Sequence, residues 1–187
     1  GLKSIDNGNT IKMIRKILEQ KLGYNVAIWD LNAKNYGVPQ NRRRIFIVGD
    51  LHSKLSDTNI PKEISKRKFS TVKHLLDKKA EDKYYLSEKI KKTIIEPFPQ
   101  FNEKPVYNLD IARCLTRTMH KMHRCSQDNY YSDSYIMDKK NDINDKRIRR
   151  ITPKEGFRLQ GFNEHYIKKA LNSSVSDTQL YMQIGNA

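Results

Sequence analysis

The run Gln40-Asn41-Arg42-Arg43-Arg44 sets a glutamine and three arginines at the end of a loop, Asn32 to Arg43, that joins two apolar stretches. Pro39 excludes a helical conformation at Val38, and Gly37 permits a turn, so the segment reads as extended. Alternate side chains of an extended segment point the same way, which places Gln40, Arg42 and Arg44 on one side. Forked guanidiniums on one side suit an anion or the edge of a base. Taken alone, the same residues also read as a solvated basic turn.

A second group is Cys114, His120, His123 and Cys125. Their spacing of five residues, then two, then one matches none of the usual pairs of zinc knuckles, and a basic, His-containing loop facing phosphate is the alternative. No metal site is expected. Cys114 is also a thiol, but no general base stands at a recognisable spacing from it, so a structural role is expected. No Gly-x-Gly occurs in the chain, so the glycine-rich turn of a dinucleotide-type cofactor site is missing.

These groups need elements to hold them. Thr152 to Phe162 reads as a short helix with a complete cap: Thr152 as N-cap, Pro153 at the first helical position, Glu155 closing a capping box, Gly161 ending it. Phe157 and Leu159 are expected to pack inward, with Arg149, Arg150 and Arg158 around the helix. Earlier, Ile11, Ile14, Leu18 and Leu22 recur at helical spacing, with Ile17 widening the stripe, and predict a helix over 10–22 with a core-facing side and Gly23 as its stop. Val26 to Leu31 and Arg44 to Gly49 predict strands, the second so apolar that burial on both faces of a sheet is expected. Lys73 to Lys79 and Ser87 to Ile95 read as short helices, with Tyr84 and Tyr85 stapling the start of the second. Asp138 to Asp145 reads as a surface loop or hairpin tip.

The 187 residues suit one large domain or two small ones, and a formal charge of +15 favours nucleic acid as partner. Residues 61–93 alone hold eleven Lys/Arg against five Asp/Glu. No apolar run has the length of a membrane span, no signal peptide opens the sequence, and two cysteines make no disulfide framework, so a cytoplasmic setting is expected.

Three stretches, in order, carry a family resemblance. Gln40-Asn41-Arg42-Arg43-Arg44, preceded by Tyr36-Gly37-Val38-Pro39, resembles the Gln-x-Arg-x-Arg motif of cytosine-5 DNA methyltransferases. Thr152 to Phe162, with Arg158-Leu159-Gln160-Gly161-Phe162, resembles the motif that follows their target recognition domain. Gln183-Ile184-Gly185-Asn186-Ala187 resembles the start of their last motif, and Cys114-Leu115-Thr116 a short element that approaches the DNA.

The resemblance implies an α/β fold: the C-terminal part of a Rossmann-like methyltransferase sheet, with one helix and two strands, plus a mixed, loop-rich target recognition domain. It divides the chain into residues 1–49 (end of the catalytic domain), 50–146 (target recognition) and 147–187 (seam helix and return). It implies S-adenosyl-L-methionine as methyl donor, double-stranded DNA as substrate, and no membrane. The family's Pro-Cys nucleophile and Glu-Asn-Val glutamate do not occur in this sequence. A C-terminal half is therefore expected, inactive alone and partnered, in cis or as a separate subunit, by the missing N-terminal catalytic portion. By the same resemblance Arg44 and Arg42 support the flipped-base pocket, Asn186 belongs to the cofactor pocket, and Arg150 and Arg158 brace the recognition domain. Gln40 joins the domains near the DNA, with Arg113, Thr116, Arg117, Lys121 and Arg124 as DNA-binding candidates and base contacts expected within 113–135. The rival readings are a non-catalytic, sequence-specific DNA-binding module and a zinc-stabilised nucleic-acid binder.

Overall fold

The computed structural model describes residues 2, 4–64, 71–95, 107–121, 124, 127–138 and 147–187. The first helix lies where its apolar spacing placed it. α1 (Asn9–Lys16) continues into a π-helical turn, Ile17–Lys21, and Gly23 stops it at φ +74°. β1 (Asn25–Asn32), β2 (Gln40–Asn41) and β3 (Arg43–Asp50) follow. β1 and β3 pair antiparallel from Asn25 opposite Asp50 to Asn32 opposite Arg43.

Two expectations need correction here. β3 is not buried on both faces, since none of its residues is fully buried and Phe46 is 48% exposed. The apolar stripe of α1 is not core within this chain either: α1 buries no residue, and Met13, Ile17 and Leu22 are exposed. The reason is the same in both cases. No described element lies over that side of the β1–β3 ribbon and its helix.

Beyond the ribbon come 3-10 turns at Val72–Leu75 and Asp82–Tyr84, then α2 (Glu88–Ile95), β4 (Ala112–Arg113), β5 (Tyr130–Ser132), α3 (Asp133–Ile136) and β6 (Ile148–Arg150). α4 (Pro153–Leu159), α5 (Glu164–Leu171) and α6 (Asp177–Asn186) close the chain. The helix expected over 73–79 is only a 3-10 turn, because the backbone is extended at Leu76 and the next amide, Asp77 N–H, donates to Glu155 Oε1 at 2.7 Å. Tyr84 and Tyr85 do not staple α2. Their hydroxyls donate to Asp177 and Asp133, each at 2.8 Å, and tie this segment to α6 and α3. The surface loop expected at 138–145 lies, after exposed Asp138, outside the described residues.

One apolar cluster, including Val72, Leu75, Leu115, Tyr131, Phe157 and Ile184, gathers these later elements. β5 and β6 pair antiparallel, Tyr131 opposite Arg149. α4 carries the expected capping box: Thr152 Oγ1 accepts from Glu155 N–H at 3.3 Å, and Glu155 Oε2 accepts from Thr152 N–H at 2.7 Å. Phe157 and Leu159 are buried, as their spacing required.

The cap has a second job that the local sequence does not announce. Glu155, 0% exposed, also takes both forks of Arg149, equally buried, at 2.8 and 2.7 Å. Arg149 Nη2 also donates to the Asp77 carbonyl at 3.0 Å and its Nη1 to the Arg150 carbonyl at 3.2 Å. Arg158 reaches the same turn, through the Leu75 carbonyl at 3.2 Å and Asp77 Oδ1 at 2.8 Å. Arg150 lies over the Tyr181 ring instead.

The turn after α4 and the end of α6 meet closely. Gln160 Nε2 donates to the Ile184 carbonyl at 2.5 Å. Gly185 lies against backbone: a Cβ there would stand 2.1 Å from Arg117 N and 2.3 Å from the Thr116 carbonyl carbon.

Removing one partner of a fully buried pair leaves the other charge uncompensated, so Glu155→Ala is expected to cost about 3–5 kcal/mol in urea unfolding, and Arg158→Ala well under half of that. Gly185→Ala forces apart two backbones that cannot yield as a side chain can. A loss of about 1–3 kcal/mol is expected, with the largest amide shifts in NMR spectra at Thr116 and Arg117.

Candidate functional site

The Gln-x-Arg-x-Arg run is held by a short parallel pairing. β2 lies beside β4 with Gln40 opposite Ala112 and Asn41 opposite Arg113, and Ala112 N–H donates to the Pro39 carbonyl at 2.8 Å. The side chain of Gln40 is 0% exposed and bonded at both ends of its amide. Its Nε2 donates to the Leu159 carbonyl at 2.6 Å, and its Oε1 accepts from Leu115 N–H at 3.2 Å. One buried amide thus joins the loop before β3, the Cys-Leu-Thr element after β4, and the end of α4.

The alternation read from sequence holds for the arginines. Arg42 and Arg44 fall on one side and Arg43 on the other, where it pairs with Asp30 at 2.8 Å. Arg42 Nη1 and Arg44 Nη2 both approach the Cys114 sulfur, at 3.6 and 3.5 Å. Arg42 also donates to the Ala187 carbonyl, and Arg44 to the Arg43 carbonyl at 2.8 Å. Among the described residues neither guanidinium meets an aspartate or glutamate side chain. Partial burial, and next the neighbouring Arg44, pull the Arg42 pKa below the ordinary arginine value, while Cys114 opposes them. Two uncompensated forks stand at the edge of a cavity of about 310 Å³ walled by Leu31, Tyr36, Phe46 and Leu159. Such a site can receive an anion or the acceptor edge of a planar ring.

The recognition candidates separate into two kinds. Arg113 and Arg124 are built into the scaffold. Arg113 Nη1 donates to the Asp128 carbonyl at 2.9 Å, and the Asn129 side chain clasps the Arg113 backbone on both its N–H and its carbonyl. Arg124 pairs with Asp128 at 3.0 Å and donates to Thr116 Oγ1 at 3.1 Å. Arg117 and Lys121 are exposed and, among the described residues, carry no ion pair. Thr116 sits between these groups, half-buried.

Of the four residues weighed for zinc, His123 and Cys125 lie outside the described residues, and His120 faces the Arg117 carbonyl at 3.0 Å. Asn186 is exposed at the end of α6, beside a cavity of about 270 Å³ lined by Val175, Gln179, Met182 and Gln183. Among the described residues, neither cavity is lined by an aspartate or glutamate side chain. Sequence reading set Arg149 beside the helix but missed its buried pairing with Glu155, and it missed the contacts of Cys114 with the arginines. Arg149 had one available signal: it stands six residues before Glu155 in a short strand whose neighbour Ile148 is apolar.

The chain was compared with known proteins. The family model for C-5 cytosine-specific DNA methylase matches residues 1–187. Type II methyltransferase M1.ScrFI of Lactococcus lactis subsp. cremoris is 34% identical, over 100% of this chain and 45% of its own length. Type II methyltransferase M.HpaII of Haemophilus parainfluenzae is 33% identical, over 100% of this chain and 54% of its own. The chain thus spans about half the length of these relatives. Among solved structures, the Entamoeba histolytica methyltransferase EhMeth superposes with a TM-score of 0.70 at 19% identity, covering 98% of this chain and 55% of that one. S. pombe Dnmt2 gives 0.65 at 18%, covering 95% and 57%. At such identities the likeness is one of fold, and this mixed α/β chain shares the fold of those structures. Match over the whole length, with the arginine pair and the capped helix in their expected order, makes the chain a member of the C-5 cytosine-specific DNA methylase family.

Proposed function

We propose that this chain is the C-terminal portion of a DNA (cytosine-5-)-methyltransferase, which selects the DNA target and supports the base pocket. The remaining half would supply the chemistry. The observation that carries this reading is the meeting of Arg42 and Arg44 with Cys114, next to exposed Arg117 and Lys121. A base-supporting pair and a basic, DNA-facing element are neighbours in space although they are 70 residues apart in sequence.

In this reading residues 1–49 end the catalytic domain, 50–146 form the target recognition domain and 147–187 return the chain. Arg44, with Arg42 beside it, faces the extruded cytosine or the glutamate that activates it. Preorganised donors there offset negative charge that develops on the ring when a cysteine of the other half adds to C6. S-adenosylmethionine would supply the methyl group from a site formed largely by that other half, to which Asn186 adds one wall. Arg117 and Lys121 take phosphate contacts. Gln40, Arg113 and Arg124 serve the DNA indirectly, by holding the loop that carries those contacts. The open faces of α1 and β3 suit burial against the rest of the catalytic sheet, since exposed strands and apolar helix faces are a liability alone.

The direct test is reconstitution. The chain is mixed with an N-terminal portion bearing the Pro-Cys and Glu-Asn-Val elements, and transfer of labelled methyl groups to duplex DNA is followed. Neither part alone is expected to act, and the mixture is expected to methylate cytosine. A mixture that binds DNA site-specifically yet transfers nothing would support a non-catalytic binding module instead. In the active mixture Arg44→Ala is expected to lower turnover by about 10²–10³. Arg117→Ala and Lys121→Ala are each expected to weaken DNA binding and reduce the salt slope by about one. Unchanged slopes would remove them from the interface.

A further inference from the structure

Among the described residues Arg42 and Arg44 meet no aspartate or glutamate side chain at the edge of their cavity, yet their side chains converge. A guanidinium on a long stem loses rotamer freedom when it is held. Arg42 also donates to the Ala187 carbonyl and Arg44 to the Arg43 carbonyl, but neither contact joins the two side chains. Among the described residues, the side-chain atom that both reach is the Cys114 sulfur, at 3.6 and 3.5 Å. Its own S–H points at the Leu115 carbonyl, 3.6 Å away, which leaves the sulfur lone pairs for the arginines.

Cys114 is itself anchored on both sides. Its preceding residue is clasped by Asn129, and its following amide donates to buried Gln40. The sulfur is therefore a fixed point, set by the parallel pairing of β2 and β4. The choice of sulfur has a chemical consequence. An aspartate or glutamate at this position would take up the donors of the pair, whereas the single sulfur gives both forks a shared contact and leaves their remaining N–H groups to a ligand.

We propose that Cys114 is the positioning residue for the Arg42–Arg44 pair: its thiol accepts from both guanidiniums and sets Arg44 for the base. This rests on the reading that Arg44 supports the base pocket, but the positioning itself can be measured without it. In arginine side-chain NMR spectra of the 187-residue chain, the Arg42 and Arg44 Nη signals, identified by their loss in Arg42→Lys and Arg44→Lys, are expected to be resolved. They collapse to the freely rotating pattern in Cys114→Ala and stay resolved in Cys114→Ser, which retains an acceptor. Spectra that Cys114→Ala leaves unchanged overturn the proposal, whatever the activity. In the reconstituted enzyme Cys114→Ala is expected to lower kcat between about tenfold and a hundredfold with KM for DNA little changed. Cys114→Ser recovers much of that loss. Added to Arg44→Lys, Cys114→Ala costs nothing more, because the group it positions is already gone. An undiminished effect in the Arg44→Lys background also overturns the proposal. If Arg44→Lys alone leaves turnover intact, it is the base-pocket role of Arg44 that fails, and the NMR result still decides what Cys114 does.

Discussion

The bidentate pair between Arg149 and Glu155 is the interaction on which the described structure turns. Both side chains are fully buried, so neither charge can be left alone, and each must be in place for the other to be tolerated. Glu155 simultaneously accepts from Thr152 and Asp77 amides, which fixes the start of α4 and the turn at Leu75–Asp77 in one stroke. Such a pair adds little net stability over an apolar equivalent; what it adds is a single permitted arrangement. β6, α4 and the 72–77 turn can meet in only one way without stranding a charge.

From that fixed point the arrangement spreads to the functional residues. The end of α4 offers the Leu159 carbonyl to Gln40, and Gln160 takes the Ile184 carbonyl of α6. Gly185 then lets α6 lie on the backbone of Thr116 and Arg117 without a Cβ between them. The arginine pair, the Cys-Leu-Thr element and the end of the last helix are therefore parts of one packed unit rather than neighbours across a hinge. In the reading proposed above, a base taken from DNA has to be aligned with a reaction centre, and a rigid joint between reading and reacting parts would be the physical form of that need.

Much of the local structure was legible in the sequence, because local signals are about adjacent residues. The capping box of Thr152 and Glu155, the stop at Gly23, the two strands and the alternation of Arg42, Arg43 and Arg44 all follow from spacing alone. Contacts between distant segments were not legible. Gln40 and Leu159 are 119 residues apart, and no local pattern marks which carbonyl a buried amide will find. Tyr84 and Tyr85 show how tertiary partners defeat a local rule: a staple was available, but the carboxylates of Asp177 and Asp133 take the hydroxyls instead. The apolar stripe of α1 reads as core from its spacing, yet α1 buries no residue, because spacing marks an apolar face without showing what packs on it.

The most direct test of the account is native-state hydrogen exchange resolved by residue. If the seam and the arginine-bearing loop are one unit, the amides of Ala112, Leu115 and Glu155 should exchange only through a common opening. Their free energies and denaturant slopes would then coincide. Exchange of Ala112 and Leu115 through a separate, lower-energy opening with a small slope, while Glu155 stays protected, would contradict it. The recognition loop would then be loosely tethered, and the arginine pair would not be set by the seam.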